Sequence, residues 1–156
     1  MLILNIDHSL NLTDKIPSKS QLIKNIQRDT DPRGQILSIV EHPIKNVSII
    51  ESHPNTHRSN HYHYKDFHFM YVLNGEIDYF YKPIDSDDVS YFKIKEGETI
   101  LTPPMEVHSC YFPVSTLLVV SSGFPRDPET YEADTVRLDF INSANVQDMI
   151  KKYGKK

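Results

Sequence analysis

At 156 residues with a formal net charge of −4 at pH 7, the chain has the size of one domain, long enough to bury about 70% of its unfolded surface. That charge argues against a nucleic-acid partner, which needs a basic stripe. The single cysteine, Cys110, excludes an internal disulfide and suits a reducing compartment, and no apolar run approaches the roughly 18 residues that cross a bilayer.

Residues 1–7 carry neither a basic leader nor a long apolar core, so a cytoplasmic chain without membrane partners is expected. Residues 1–33 read as an arm. Leu22, Ile23 and Ile26 suggest a helical turn, but Asp29, Asp31 and Pro32 stop it, which predicts irregular structure. Residues 35–40 read as the first firm strand and 46–51 as the second, with Pro43 between them. A loop over 53–56 then delivers the chain to Arg58 and a histidine-rich stretch. Residues 67–73 form a nearly continuous apolar run, which predicts a strand buried on both faces. Asn74-Gly75 predicts a hairpin into the alternating residues 76–81.

Residues 85–88 are a polar loop and 89–94 a returning strand. Gly97 turns the chain, residues 99–101 form a short strand, and Pro103-Pro104 ends it. Two more strands, 107–112 and 116–121, are separated by Pro113. Beyond Gly123 the character changes: residues 124–131 are turn-rich, 136–140 read as an edge strand, and Ser143 can cap a helix running to Ile150. Eight to ten short strands with near-regular turns predict an all-β sandwich or barrel over about residues 34–122, with an N-terminal arm and a C-terminal extension over 123–156.

The chemistry concentrates at His61-Tyr62-His63. Side chains alternate along a strand, so both imidazoles share one face, and His68 joins them if the chain curves back. His61-x-His63 is followed by four residues, His68, six residues and Gly75. Farther on, Gly97 is followed by five residues, then Pro103, Pro104, Met105 and, two residues later, His108. Both spacings resemble the two motifs of the cupin superfamily, which implies a jelly-roll barrel (a double-stranded β-helix). The chain departs from the pattern at three places. His68 stands where glutamate is usual, Met105 where the later motif has its second glycine, and Phe112 where it has asparagine.

Through that resemblance His61, His63, His68 and His108 become metal ligands. Four imidazoles and no carboxylate suit one divalent transition metal (Zn, Fe, Mn, Ni or Co) and leave its charge uncompensated, which favours anionic substrates. Cys110, two residues past His108, is either a packed small hydrophobe or a thiol facing the same site, where it would touch substrate or act in redox chemistry.

A looser resemblance covers more of the chain. Arg33-Gly34, Arg58 just ahead of the histidine pair, and the tail from Ser121-Ser122-Gly123 through Asp127, Tyr131 and Asp134 are similar to the dimeric ketoisomerases of dTDP-linked deoxysugars in polysaccharide assembly. The resemblance implies that Arg33 and Arg58 meet phosphate or substrate and that His61 or His63 moves a proton beside a sugar ketone. A tyrosine of that family is replaced here by residues 48–50, Ser-Ile-Ile, and those isomerases need no metal. The expectation is therefore a metal-binding isomerase or epimerase of nucleotide sugars, acting as a homodimer. Two alternatives stay open: an all-histidine dioxygenase acting on a small molecule, and a non-catalytic, metal-stabilised binding barrel.

Overall fold

The computed structural model describes residues 16–23 and 28–155. Two five-stranded antiparallel sheets face each other, and a two-stranded ribbon stands apart. The first sheet runs in the order β1 (Gln21–Ile23), β9 (Thr99–Thr102), β6 (His68–Asn74), β11 (Thr116–Ser122), β4 (Asn46–Ser52). The second runs β12 (Thr135–Arg137), β5 (Thr56–His63), β10 (Glu106–Phe112), β7 (Glu76–Pro83), β8 (Ser90–Lys95). From β4 onward the chain changes sheet at every connection except the β7–β8 hairpin. That alternation is the cupin jelly roll.

The core lies between the sheets, where Val72, Ile77, Tyr79, Ile94, Ile100, Phe112, Leu118 and Val120 are all buried. A smaller cluster forms outside the second sheet. There α2 (Val146–Tyr153) lays Val146 against Phe80, Tyr111 and Ile141.

Several local expectations change. The arm is not irregular at residues 21–23, since β1 pairs with β9 and extends the first sheet; Ile26 lies outside the described residues. The strand expected over 35–40 shrinks to β3 (Gly34–Leu37), which pairs only with β2 (Arg28–Asp31) and leaves Ile36 exposed. β2 and β3 thus lie outside both five-stranded sheets.

Asn74-Gly75 is not a hairpin either. β6 and β7 belong to different sheets, and Gly75 turns the corner between them at φ +92°. A Cβ there would stand 2.8 Å from the Thr116 Cα, so the corner needs both the positive φ and the missing side chain. The turn-rich segment contains a helix, α1 (Pro128–Asp134), capped by the Asp127 carboxylate accepting from the Thr130 N–H. The edge strand β12 is shorter than expected, and Asn145, not Ser143, precedes α2. No described helix is long and apolar enough to cross a membrane.

Candidate metal and substrate site

β5 and β10 run side by side and set His61 opposite His108, with His63 two residues farther along the same strand. An irregularity in β5 aims this pair. The register steps from His108↔His61 to Ser109↔Ser59, so Asn60 is an extra residue, and both Ser59 and Asn60 adopt positive φ (69° and 55°). This is a β-bulge, a device that re-aims side chains near functional sites. Asn60 is locked there by exchanging two hydrogen bonds with the Ile141 backbone, at 2.8 and 2.9 Å.

Ring nitrogens of His61, His63 and His108 lie within 4.8 Å of one another. All three residues are buried, and the Nε2 of each lacks a hydrogen-bond partner among the described residues. The other nitrogens explain this for two of them. His108 Nδ1–H donates to the Glu106 carbonyl at 3.1 Å. The Thr135 hydroxyl donates to the Tyr131 carbonyl at 2.6 Å, so its oxygen is left to accept from His63 Nδ1–H at 3.2 Å. Both rings are thereby held in the tautomer that leaves Nε2 as a lone pair. Burial, followed by the neighbouring imidazoles, pushes His61 far below the usual histidine range. Burial also brings His63 down to about 4 and His108 to about 3. Uncharged rings with orphaned, convergent lone pairs fit a nitrogen-ligated transition metal, because buried polar atoms without partners are otherwise costly.

His68 stands beside this group but outside it. Its Nε2–H donates to Asp66 Oδ2 at 3.0 Å, and its ring centre lies 4.7 Å from that of His63. The four-histidine expectation thus resolves into three converging rings and one bound to a buried carboxylate.

A cavity of about 100 Å³ opens onto His61 and His68. Its apolar lining is Ile50, Met70, Phe112, Leu118 and Val120, and Ser59, Arg58, Arg126 and Tyr131 add polar groups. Cys110 also lines it; burial pushes its thiol up to about 12, so it is packed as a neutral group. Arg58 is held by donating to Ser52 Oγ and the Glu51 carbonyl, each at 2.8 Å. Arg33 is placed elsewhere: it sits on the β2–β3 ribbon, fully exposed, in an ion pair with Asp31, and is not among the residues lining this cavity.

The C-terminal extension, read from sequence mainly as a turn-rich tail, completes the site. Asp134 accepts from the Lys65 and Asp66 N–H groups at 3.0 and 2.9 Å, and Asp66 accepts from Phe124 N–H at 3.0 Å. These bonds fasten residues 124–135 to the histidine loop and bring Tyr131 to 5.5 Å from the His63 ring. Arg126, Asp66 and Thr135 escaped the sequence reading. The pair Asp127-Pro128, a cap followed by proline at the first helical position, was the signal for α1 and so for where Tyr131 points.

Residues 29–121, more than half of the chain, match the family described as polysaccharide biosynthesis C-terminal domain. No curated protein matches the chain. Among solved structures it is similar to the sugar 3,4-ketoisomerase QdtA of Thermoanaerobacterium thermosaccharolyticum, crystallised with TDP (21% identity, TM-score 0.63, 88% of this chain and 98% of that one). The TDP-quinovose 3,4-ketoisomerase WlaRB of Campylobacter jejuni matches at 17% identity and TM-score 0.65, over 78% of this chain and 95% of that one. The capsular polysaccharide assembling protein CapF of Staphylococcus aureus matches at 18% and 0.57, over 74% of this chain but only 32% of its own. At these identities the likeness establishes the fold.

Proposed function

The chain belongs to the polysaccharide biosynthesis C-terminal domain family, and on that premise we propose that it is a metal-binding cupin enzyme that isomerises a nucleotide sugar next to its keto group. The observation that carries this reading is the set of three buried, unpartnered Nε2 atoms on His61, His63 and His108, in a barrel shaped like those of the 3,4-ketoisomerases. One of those, QdtA with a histidine replaced by asparagine, was crystallised with TDP-4-keto-6-deoxyglucose, a substrate class we extend to this chain.

His61, His63 and His108 would hold one divalent transition metal, which when bound polarises a ketone oxygen and stabilises the enediolate. Each lone pair can take a metal or a proton, but not both. While the three rings serve as ligands, the proton beside the ketone falls to His68, whose Nε2–H is fixed by Asp66 and whose ring borders the cavity. Without a metal, His61 or His63 takes that role. The enzyme is read as a cytoplasmic homodimer; its lone cysteine, reduced and buried, suits a reducing compartment.

Elemental analysis and solvent-deuterium exchange on the untagged protein test this reading. Zinc or another transition metal should be present and fall sharply in His61→Gln, His63→Gln and His108→Gln. His68→Gln should keep the metal but lose deuterium incorporation into TDP-4-keto-6-deoxyglucose. A metal-free protein that still incorporates deuterium would return the base to His61 or His63. Iron with substrate-dependent oxygen uptake would instead support the all-histidine dioxygenase, which draws on the same three nitrogens.

A further inference from the structure

Among the described residues three carboxylates are buried: Asp66, Asp78 and Glu106. Asp66 faces His68, and Asp78 faces Lys93. Glu106 is held differently. Among the described residues its carboxylate accepts hydrogen bonds only from Ser20, through the N–H at 3.1 Å and through the hydroxyl. Ser20 immediately precedes β1 in the N-terminal arm and is itself only 5% exposed. A carboxylate out of water is tolerable only while its donors stay in place, so this arm residue belongs to the barrel interior.

The Ser20 hydroxyl has one hydrogen and gives it to Glu106, so its oxygen accepts from the Tyr79 hydroxyl at 2.8 Å. By the same count the Tyr79 oxygen accepts from the Thr102 hydroxyl, also at 2.8 Å. Both neighbours of Ser20 in this chain flank His108. The Glu106 carbonyl accepts from His108 Nδ1–H at 3.1 Å. The Tyr79 ring lies nearly parallel to the His108 ring, at 23° and 6.2 Å between centres. β10 presents Glu106, His108 and Cys110 in that order on one face, and it is Cys110, not Glu106, that lines the cavity. Ser20 therefore supports His108 from the side away from the cavity.

We propose that Ser20 is a positioning residue for His108: by fixing Glu106 on one side and Tyr79 on the other, it aims the His108 Nε2 lone pair at His61 and His63. The N-terminal arm is then part of the site, and metal affinity depends on its docking. That the aimed lone pair serves a metal rests on the reading above; that Ser20 sets the orientation of the ring does not. Groups that hold a ligating histidine through its other ring nitrogen govern how tightly the metal is kept. Here that support runs one residue farther, from the carbonyl of Glu106 to its carboxylate and on to the arm.

The test pairs two measurements on the full chain after chelator treatment. Zinc is titrated against a competing chelator, and the His108 Nδ1–H proton, assigned by its loss in His108→Gln, is followed by NMR in the zinc-free protein. Ser20→Ala should weaken zinc about 10-fold or more, the usual scale for losing such an outer partner, and should shift the His108 signal and speed its exchange with water. Tyr79→Phe, which keeps the ring against His108 and removes only the hydroxyl, should act in the same direction to a smaller degree. Val146→Ala, in the separate cluster under α2, should lower the urea midpoint yet leave zinc affinity and the His108 signal unchanged. Circular dichroism confirms that each variant is folded.

A His108 signal that stays put in Ser20→Ala would overturn the positioning role, as would a Val146→Ala variant that disturbs the signal and zinc affinity as much as Ser20→Ala does. A parent chain that binds no zinc, but whose His108 signal moves in Ser20→Ala, would keep the positioning role and overturn the metal reading. The reverse result, a parent that binds zinc and a Ser20→Ala variant that binds it within twofold, would keep the metal centre and overturn the part given to the arm.

Discussion

Removing metal should leave a protein whose stability collapses in mild acid. Desolvation holds His63 at about 4 and His108 at about 3 in the folded chain, against 6.5 for an imidazole in water. Between those values the unfolded chain binds protons that the folded chain refuses, so stability falls as pH drops. Above 6.5 both rings are neutral in both states and contribute no pH dependence; below about 3 both are charged in both states and the loss is complete. Protonating His63 alone costs about 3 kcal/mol, and His108 at least as much, on the scale of 1.4 kcal/mol per tenfold change. Their sum rivals the roughly 5–15 kcal/mol that keeps a domain folded.

The assay is a urea-denaturation series on chelator-treated protein, read by circular dichroism at steps from about pH 7.5 down to about pH 4. The midpoint should be level near neutrality and fall steeply below about pH 6. His63→Gln and His108→Gln, which cannot charge, should each flatten the slope even where they lower the plateau. Saturating zinc at pH 7 should raise the midpoint, since it binds only the assembled site, and protons should then compete with it. A midpoint that stays constant down to about pH 4.5 would refute the reasoning, because it would mean that these imidazoles charge without disturbing the fold.

Two further expectations test the frame around the site. Met105 adopts φ +58° and is half-exposed, so Met105→Gly should relieve about 1–2 kcal/mol of left-handed strain. The freer unfolded chain takes back part of this, leaving a net gain of about 0.5–1 kcal/mol. A raised urea midpoint checks it, and a lowered one would show that the Met105 side chain packs more than its exposure suggests. Asp134→Ala should orphan the Lys65 and Asp66 N–H groups, cost about 2 kcal/mol, and expose residues 124–135 to limited proteolysis. An unchanged digestion pattern would show that other contacts hold the extension.

The barrel was legible because its signals are local. Alternation in β4, the apolar run of β6, the proline breaks at 103–104 and 113, and the spacing of His61, His63 and His108 each report on one strand or one face. What stayed hidden depends on which strands meet. Asn74-Gly75 has the chemistry of a hairpin turn, and its positive φ is real. Nothing within those two residues says that β6 and β7 go to different sheets, because the approach of Thr116 demands the glycine from outside. Residues 35–37 have the pattern of a core strand and find only a ribbon partner.

The departures from the cupin motif carry more information than the matches. At Met105 the fold keeps the left-handed backbone that glycine normally supplies and bears the strain, with the Met105 N–H donating to the His63 carbonyl at 2.7 Å. The backbone geometry beside the site is thus retained where the residue suited to it is not. At His68 the opposite happens: the residue changes and so does its role. Glutamate at that position could ligate directly, whereas His68 turns Nε2–H to Asp66, and the carboxylate that accepts it also accepts the Phe124 N–H of the extension. One substitution therefore ties the fourth polar group of the site to the segment carrying Arg126 and Tyr131. Asp66→Asn should therefore weaken metal retention little but impair proton exchange through His68 and loosen the segment carrying Arg126 and Tyr131 to limited proteolysis. A change in only one would separate the two halves of the site.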